Sequence, residues 1–570
     1  MTLARRARRL ALLTAATAGL LTCQDSTTSH EPSNEPPPEP PPVSLGYVCG
    51  RSFDIENADS SMLIVRFDVS TGESGSLALA PAPAGAPSRT RLTTATTGEV
   101  HLSVDGVAAG DAANAGTACP PPDPAPPEPQ ATRGKWSAPF AWPIVAVHLH
   151  LLPDGRVLSF GRIGSPQLWD PATGGFTELP VSTNIFCGGH TFLADGRLLV
   201  AGGHISEDHG LPATTLFNFS TGAWTEAAPM ATGRWYPTTT TLPDGRVLAM
   251  AGGDENGLPA STPEIWNGTS WSRLDAADRV LPYYPRAFIA PNGQVFYAGE
   301  LQQTSYLDVH TGTWSPVASS LYGSREYGSA LMYRPGKVLI VGGSNTPSGT
   351  PTASAEIIDL GDAAPFWRYT GSMASARRQF NATLLPDGRV VATGGTSAPG
   401  FTDPAGAVHA AEAWDPATGE WTTWASNAVT RVYHSTTILL SDGRLLHAGS
   451  GDGGFLPREL SGEVFSPPYL FHGPRPAIAA APASASYARR FFVETPDAGT
   501  VVAASWVRLS SVTHAFDQNQ RFVPLDLERT PGGVTITAPP NPNLAPPGHY
   551  MLFLLNGDGI PSVAKIMQVG

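Results

Sequence analysis

The heptapeptide Leu152-Pro153-Asp154-Gly155-Arg156-Val157-Leu158 indicates the architecture of this chain, because it recurs. Close copies begin at Leu193, Leu242, Leu385 and Leu440, and weaker copies begin at Ala290 and Tyr333. Each copy sets an Asp-Gly type turn between two apolar runs, and such a turn joins neighbouring antiparallel strands. The copies follow one another at roughly 40–55 residues, which is the repeat length of a β-propeller blade.

Two further features recur in register with this turn. The second apolar run ends in paired glycines, at Gly202-Gly203, Gly252-Gly253, Gly342-Gly343 and Gly394-Gly395. A later strand carries a tryptophan after a Thr-Gly turn, at Trp224, Trp314 and Trp421. We therefore predict an all-β protein built on a seven-bladed kelch-type β-propeller. Beyond about Pro474 the repeat ends, and short apolar runs between proline-rich turns predict an immunoglobulin-like β-sandwich.

The composition agrees with this architecture and excludes others. Glycine (60) and proline (56) make up about a fifth of the 570 residues, which rules out a helical bundle. The formal net charge of -13 argues against a nucleic-acid partner. The predicted order is an export signal at 1–23, a proline-rich linker at 24–43, a small β-domain at 44–119, a second proline-rich linker at 120–135, the propeller at 136–473 and the sandwich at 474–570.

The first 23 residues predict export. Four arginines precede an apolar run from Leu10 to Leu21, which is typical of a bacterial export signal and too short to span a bilayer. The run ends in Leu20-Leu21-Thr22-Cys23, which resembles a lipobox, whose cysteine becomes lipidated, although Thr22 departs from the usual small residue. Two outcomes stay open: a protein anchored at the bacterial cell surface through Cys23, or an ordinary secreted protein.

The other three cysteines fall into two groups. Cys49 and Cys119 stand near the two ends of the small β-domain, and in an exported protein they suit a disulfide that closes it. Cys187 lies in the propeller and is left unpaired.

Three segments depart from the repeat, and each is predicted to lie on the strand that leads into a repeat and so forms the first strand of a blade. They are Ile185-Phe186-Cys187-Gly188-Gly189-His190, Gly233-Arg234-Trp235-Tyr236-Pro237 and Thr430-Arg431-Val432-Tyr433-His434-Ser435. The first strand of a blade is the innermost one. We therefore expect Cys187, Tyr236, Tyr433 and His434 to face the central axis.

This pattern resembles a known family. A Cys and a Tyr in neighbouring blades, a Tyr-His pair in the last blade and Thr513-His514 in the following sandwich are similar to the galactose oxidase and glyoxal oxidase family of copper radical oxidases. The resemblance covers roughly residues 136 to 570 and includes the sandwich segment from Pro546 to Phe553.

The resemblance implies a site and an activity. Tyr236, His434 and His514 would be equatorial copper ligands, Tyr433 the axial one, and Cys187 would be joined to Tyr236 by a thioether that makes the ring easier to oxidise. Imidazole nitrogens and phenolate oxygens suit Cu(II). The implied protein is a monomeric copper-dependent oxidoreductase that oxidises a small primary alcohol or aldehyde and reduces O2 to H2O2, with Tyr433 taking the substrate's hydroxyl proton.

The sequence also departs from the family pattern. In galactose oxidase a Trp follows the paired glycines after the cross-linked Tyr and covers the thioether, but here Asp254 stands in that place. Trp235, beside Tyr236, is a candidate for shielding the radical from another direction. Recognition of galactose is therefore disfavoured relative to small aldehydes or other alcohols.

Alternatives remain for individual histidines and for the whole protein. His190 and His204 are rival ligands or outer groups near Cys187, whereas a structural role is expected for His148 and His150. The alternative function is a cell-surface propeller that binds glycans or proteins without catalysis. A metal-free structural protein is a third interpretation.

Overall fold

The computed structural model describes residues 42–83, 86–118, 130–453 and 456–570. The predicted export signal, the lipobox with Cys23, most of both linkers and Cys119 lie outside the described residues. Cys49 takes part in a disulfide, and Cys187 is a free thiol. Among the described helices, none combines the length and the apolar character that crossing a bilayer requires. The chain divides into two compact units, 1–125 and 126–570.

The first unit consists of two antiparallel sheets. Its strands alternate buried and exposed side chains, as expected where one face of a sheet packs on a core. Phe53, Ile55, Val65 and Val100 are fully buried at its centre. One sheet has the order Val43–Cys49, Ser52–Asn57, Ser88–Thr93, and the other has the order Ser74–Leu79, Leu63–Val69, Val100–Val104, Val107–Ala112.

The second unit contains seven four-stranded blades, named here blades 1 to 7 in chain order, with strands given from the inside outward. Blade 1 is His148–Leu151, Val157–Phe160, Gln167–Trp169, Phe176–Glu178; blade 2 is Gly189–Phe192, Leu198–Ala201, Thr214–Asn218, Ala223–Ala227; blade 3 is Thr238–Thr241, Val247–Met250, Glu264–Trp266, Trp271–Arg273; blade 4 is Arg286–Ile289, Val295–Gly299, Gln303–Asp308, Thr313–Ser319. Blade 5 is Ser329–Arg334, Lys337–Val341, Ala355–Asp359, Arg368–Thr370; blade 6 is Asn381–Leu384, Val390–Thr393, Ala410–Trp414, Trp421–Ser426; blade 7 is Thr436–Leu439, Leu445–Ala448, Ser461–Ser466 and Lys135–Trp136.

The ring is closed by its own first strand, because Lys135–Trp136 and Phe140–Ala141 both pair with Ser461–Ser466 of blade 7. A short hairpin, His204–Ser206 with His209–Gly210, extends from blade 2. Helix is confined, in the described parts of the chain, to the α-turn Gln130–Arg133 and the 3₁₀ turns Asp275–Ala277, Pro404–Gly406 and Pro468–Phe471. The predicted seven-bladed propeller is confirmed, with each Asp-Gly type turn joining the first two strands of a blade.

The C-terminal domain forms a seven-stranded sheet in the order Ser484–Ala485, Lys565–Val569, Gly548–Asn556, Val501–Arg508, Phe522–Thr530, Gly533–Thr537, Arg490–Glu494. One hairpin, Ser511–Thr513 with Phe516–Asp517, leaves this sheet and pairs with the innermost strand of blade 1. In that pairing His148 lies opposite Thr513 and His150 opposite Ser511. The C-terminal domain therefore inserts a hairpin, with His514 at its tip, beside the innermost strands of the propeller.

Candidate active site

Six blades place a residue of left-handed backbone conformation two positions before their innermost strand. These residues, from blade 2 to blade 7, are Cys187, Tyr236, Tyr284, Tyr327, Gln379 and His434, with φ between 45° and 68°. None is glycine. A non-glycine residue in this region costs of order 1–3 kcal/mol, so the conformation persists only where the surrounding structure imposes it. Backbone hydrogen bonds between blades do impose it, as where Tyr236 N donates to Cys187 O at 2.8 Å and Tyr284 N donates to Tyr236 O at 2.8 Å.

Two of these residues, Tyr236 and His434, come together with the side chains of Tyr433 and His514. The hydroxyls of Tyr236 and Tyr433 are 2.7 Å apart, and Nε2 of His514 is 2.7 Å from the Tyr236 hydroxyl. The ring centroids of His434 and His514 are 4.6 Å apart. All four side chains are buried.

The hydrogen bonds behind these side chains fix their tautomers. His434 Nδ1 lies 2.5 Å from Gly451 O and must donate to it, which leaves Nε2 as a lone pair that is buried and has no partner. Thr513 Oγ1 donates to Val147 O at 3.0 Å and accepts from His514 Nδ1 at 2.6 Å. Nε2 of His514 is therefore also an acceptor, so Tyr236 donates to it and Tyr433 donates to Tyr236.

Burial keeps the four groups neutral. It lowers the pKa of His434 to about 3 and moves the pKa of His514 in the same direction, with a contribution from the neighbouring His434. Burial and the nearby phenol of Tyr433 raise the pKa of Tyr236 well above its ordinary value. The pKa of Tyr433 is raised by burial as well. Two imidazole lone pairs and two neutral phenols thus meet in one buried cluster.

Aromatic rings enclose Tyr236. Trp235 lies parallel to it, with ring centroids 3.5 Å apart and an angle of 4° between the planes. Tyr284 stacks on it at 4.7 Å and on His514 at 4.9 Å. Cys187 is fully buried in the same cluster of apolar side chains as Tyr236 and Trp235.

A cavity of about 310 Å³ opens on this cluster. Its wall includes Tyr236, His514, Tyr283 and Tyr284, together with apolar side chains such as Leu281. Three charged residues also line it: Arg286, Glu300 and Glu326. Burial raises the pKa of Glu326 to about 7. A cavity of this volume suits a small molecule.

The structure brings together all five residues whose roles the family resemblance implies: Cys187, Tyr236, Tyr433, His434 and His514. The alternative histidines are elsewhere. His190 hydrogen-bonds to His148 at 2.9 Å and to Ser511 at 2.6 Å, and His204 accepts the indole N–H of Trp235 at 3.0 Å. His148 and His150 lie buried on the innermost strand of blade 1.

Sequence reasoning missed Tyr284 and Tyr327, which occupy the same register as Tyr236. Counting two residues back from each innermost strand finds both. It also missed Arg286, Glu300 and Glu326, for which no sequence signal stands out. No cluster of three or more His, Cys, Asp or Glu side chains suited to a metal occurs in the described chain.

Comparison with known families places both domains. Residues 165–469 match the model "Glyoxal oxidase N-terminus", and residues 475–569 match "Galactose oxidase-like, Early set domain". Among similar proteins, "Galactose oxidase" of Gibberella zeae is 28% identical over 495 residues, covering 77% of this chain and 71% of that protein. "Aldehyde oxidase GLOX" of Vitis pseudoreticulata is 29% identical over 469 residues, covering 74% and 89%.

A solved structure of a similar protein contains copper. A fungal alcohol oxidase of the AA5 family, described as having catalytic diversity and being in complex with copper, aligns with a TM-score of 0.70 and 25% identity. The alignment covers 77% of this chain and all of that one. Since the first family model alone matches more than half of the chain, the protein belongs to the glyoxal oxidase and galactose oxidase family of copper radical oxidases.

Proposed function

We propose that this protein binds copper through Tyr236, Tyr433, His434 and His514, carries a thioether between Cys187 and Tyr236, and oxidises a small aldehyde or primary alcohol with O2. One observation carries the proposal: the Nε2 lone pair of His434 is buried without a partner, beside two phenols and a second imidazole lone pair. Nε2 of His150 and Nε2 of His447 are also buried without a partner, so it is the two phenols and the second imidazole beside the free lone pair of His434 that point to an ion.

The donor set fits copper. Imidazole nitrogens and phenolate oxygens suit Cu(II) in a tetragonal arrangement. The two phenols are protonated in the free protein, so metal binding releases protons and becomes tighter as pH rises. When bound, copper supplies a one-electron acceptor next to the oxidisable tyrosine and a position for oxygen.

Three residues of the protein carry out proton transfer, hydrogen abstraction and shielding of the oxidised tyrosine. Tyr433 would accept the proton of the substrate hydroxyl after copper binding has removed the phenol's own proton; its oxygen lies 2.7 Å from that of Tyr236 and its ring is flanked by His434 and Phe401. Tyr236, once oxidised by one electron, would take the hydrogen atom from the substrate carbon and return to a phenol. Trp235 covers one face of Tyr236 and excludes water and reductants from it.

The cavity supports a small substrate. Its volume of about 310 Å³ and its mixed aromatic and charged wall accommodate an aldehyde hydrate or a short primary alcohol that has hydroxyls to donate. Oε2 of Glu326 has no hydrogen-bond partner, with the Arg378 guanidinium 3.7 Å away, and can accept such a hydrogen bond.

The test is the intact mass of the metal-free protein before and after Cu(II) and air. Thioether formation removes one hydrogen from Cys187 and one from Tyr236, so the mass falls by two hydrogens, and Cys187→Ala abolishes the change. The treated protein is then offered methylglyoxal, glyoxal, glycerol, benzyl alcohol and galactose in a peroxidase-coupled assay. An unchanged mass together with no peroxide would instead favour a propeller that binds glycans or proteins without catalysis.

We also propose that the protein is exported and acts as a monomer on small molecules. The support for export is the sequence of residues 1–23, in which four arginines precede an apolar run that is followed by Thr22 and Cys23. Cys23→Ala distinguishes the two forms of export. It releases a lipid-anchored protein from the membrane fraction and leaves the distribution of an ordinary secreted protein unchanged.

A further inference from the structure

The backbone of Cys187 is held by a histidine of the neighbouring blade. The N–H of Cys187 donates to Nε2 of His148 at 3.2 Å, and both residues are fully buried. Cys187 has a φ of 65°, which a non-glycine residue adopts only where its surroundings impose it. The direction of its side chain therefore depends on the contacts that hold its peptide group.

His148 is itself the first member of a directional chain of hydrogen bonds. Because Nε2 accepts from Cys187, the ring proton sits on Nδ1 and donates to His190 Nε2 at 2.9 Å. The proton of His190 then sits on its Nδ1 and donates to Ser511 Oγ at 2.6 Å. Every ring in this chain is kept neutral by burial, which lowers the pKa of His148 and of His190.

This series of hydrogen bonds ends on the inserted hairpin that carries His514. Ser511 lies three residues before His514 and opposite His150 of blade 1. The hairpin is anchored by Asp517, whose carboxylate accepts from the backbone N–H of Ser511 at 2.9 Å. The same series of contacts thus links the peptide group of Cys187 to the segment that presents one of the imidazoles around Tyr236.

We propose that His148 is the positioning residue for self-processing: by holding the Cys187 peptide in its left-handed conformation, it aims the thiol at the ring of Tyr236 for thioether formation. The inference rests on the proposed function. In the step, one S–H bond of Cys187 and one ring C–H bond of Tyr236 break and one S–C bond forms. The two electrons and two protons pass to O2, which becomes H2O2, with copper present.

Two substitutions of His148 that introduce the same amide group on side chains of different length test this positioning role. His148→Gln places a side-chain oxygen where Nε2 stands and can still accept from Cys187, whereas the shorter His148→Asn cannot. After Cu(II) and air are added to metal-free protein, the rate of the two-hydrogen mass loss is followed by mass spectrometry of the whole chain. We expect His148→Gln to stay within a few-fold of the wild-type rate and His148→Asn to be slower by about 10- to 100-fold, as expected for a misplaced reacting group.

A burial-matched control separates positioning from general destabilisation. His447 is fully buried in blade 7 and hydrogen-bonds to Thr437 rather than to the site. His447→Asn should process at the wild-type rate even if its melting temperature falls. Where His148→Asn does not fold, Ser511→Ala removes the far end of the chain and is expected to slow processing by a smaller factor.

The outcomes are distinct. Equal rates for the Gln and Asn variants, or wild-type processing in both His148→Asn and Ser511→Ala, would overturn the positioning role while leaving the proposed function intact. If the wild-type protein loses no hydrogens at all, the proposed function fails and this inference fails with it.

Discussion

The indole of Trp235 and the phenol of Tyr236 lie face to face although they are adjacent in the chain, with centroids 3.5 Å apart and planes at 4°. The left-handed φ of 63° at Tyr236 makes this stacking possible, because in an extended strand adjacent side chains point to opposite faces. The indole N–H is held by His204, on the hairpin that extends from blade 2. Tyr283, hydrogen-bonded to Asp208 of the same hairpin, packs edge-on against Trp235.

We therefore predict that Trp235→Leu destabilises the oxidised form of Tyr236. Aromatic stacking contributes about 0.5–1.5 kcal/mol beyond burial, so the oxidised state should become less stable by a factor of roughly 2 to 13. The decay of the radical signal after chemical oxidation is measured by electron paramagnetic resonance, with copper content as a second readout that should not change. Trp224→Leu, which alters a blade tryptophan away from the site, is the control, and equal decay in the two variants would contradict the prediction.

The sequence predicted the blades because their turns repeat. The family resemblance predicted the five residues of the candidate site: Cys187, Tyr236, Tyr433, His434 and His514. The sequence indicated Trp235 as a candidate shield but could not predict the face-to-face stacking on Tyr236, because that depends on a left-handed residue at Tyr236 where the sequence shows no glycine. It also could not predict the chain from Cys187 through His148 and His190, since these contacts join two blades to a hairpin more than 300 residues away. Periodicity identifies which strand is innermost but not what its side chains contact.

A second prediction concerns His434, whose lone pair has no partner in the metal-free protein. Removing an unsatisfied buried polar atom is nearly neutral for folding. His434→Phe also removes the Nδ1 donor of the buried Gly451 carbonyl, so we expect the free energy of unfolding to fall by about 1–3 kcal/mol, although the phenyl ring keeps the stacking on Tyr433. Copper measured after gel filtration should fall well below one equivalent, and the two-hydrogen mass loss should disappear. Stoichiometric copper in this variant would remove His434 from the ligand set.

A third prediction concerns acid. Six fully buried histidines have pKa values lowered by burial: His148, His150, His190, His434, His447 and His514. For His190 and His434 the folded-state pKa is about 3, against 6.5 for an ordinary histidine. Between these values the unfolded chain binds more protons than the folded one, so the free energy of unfolding decreases as pH falls.

Each such histidine contributes at most about 1.4 kcal/mol per pH unit to this slope. Urea unfolding of the metal-free protein between about pH 6.5 and about pH 4.5, where most carboxylates stay ionised, should show the loss. His447→Gln, which cannot titrate, should have a shallower slope by no more than one histidine. A free energy of unfolding that is constant over this range would contradict the prediction.

The last prediction tests what holds the blades beneath the site. Arg–Glu pairs are buried in blades 3, 5, 6 and 7, as between Arg377 and Glu412, whose side chains are 0% and 1% exposed. Arg377 also donates to Gly394 O and Ala410 O, so it joins the loop before blade 6 to that blade's strands. Arg377→Met leaves the Glu412 carboxylate buried and unpaired, which should cost about 3–5 kcal/mol. Arg197→Met, which breaks an exposed pair with Asp195, should cost less than about 1 kcal/mol. Comparable losses of unfolding free energy in the two variants would show that the buried pairs are not what fixes these loops, and with them the left-handed residues that face the axis.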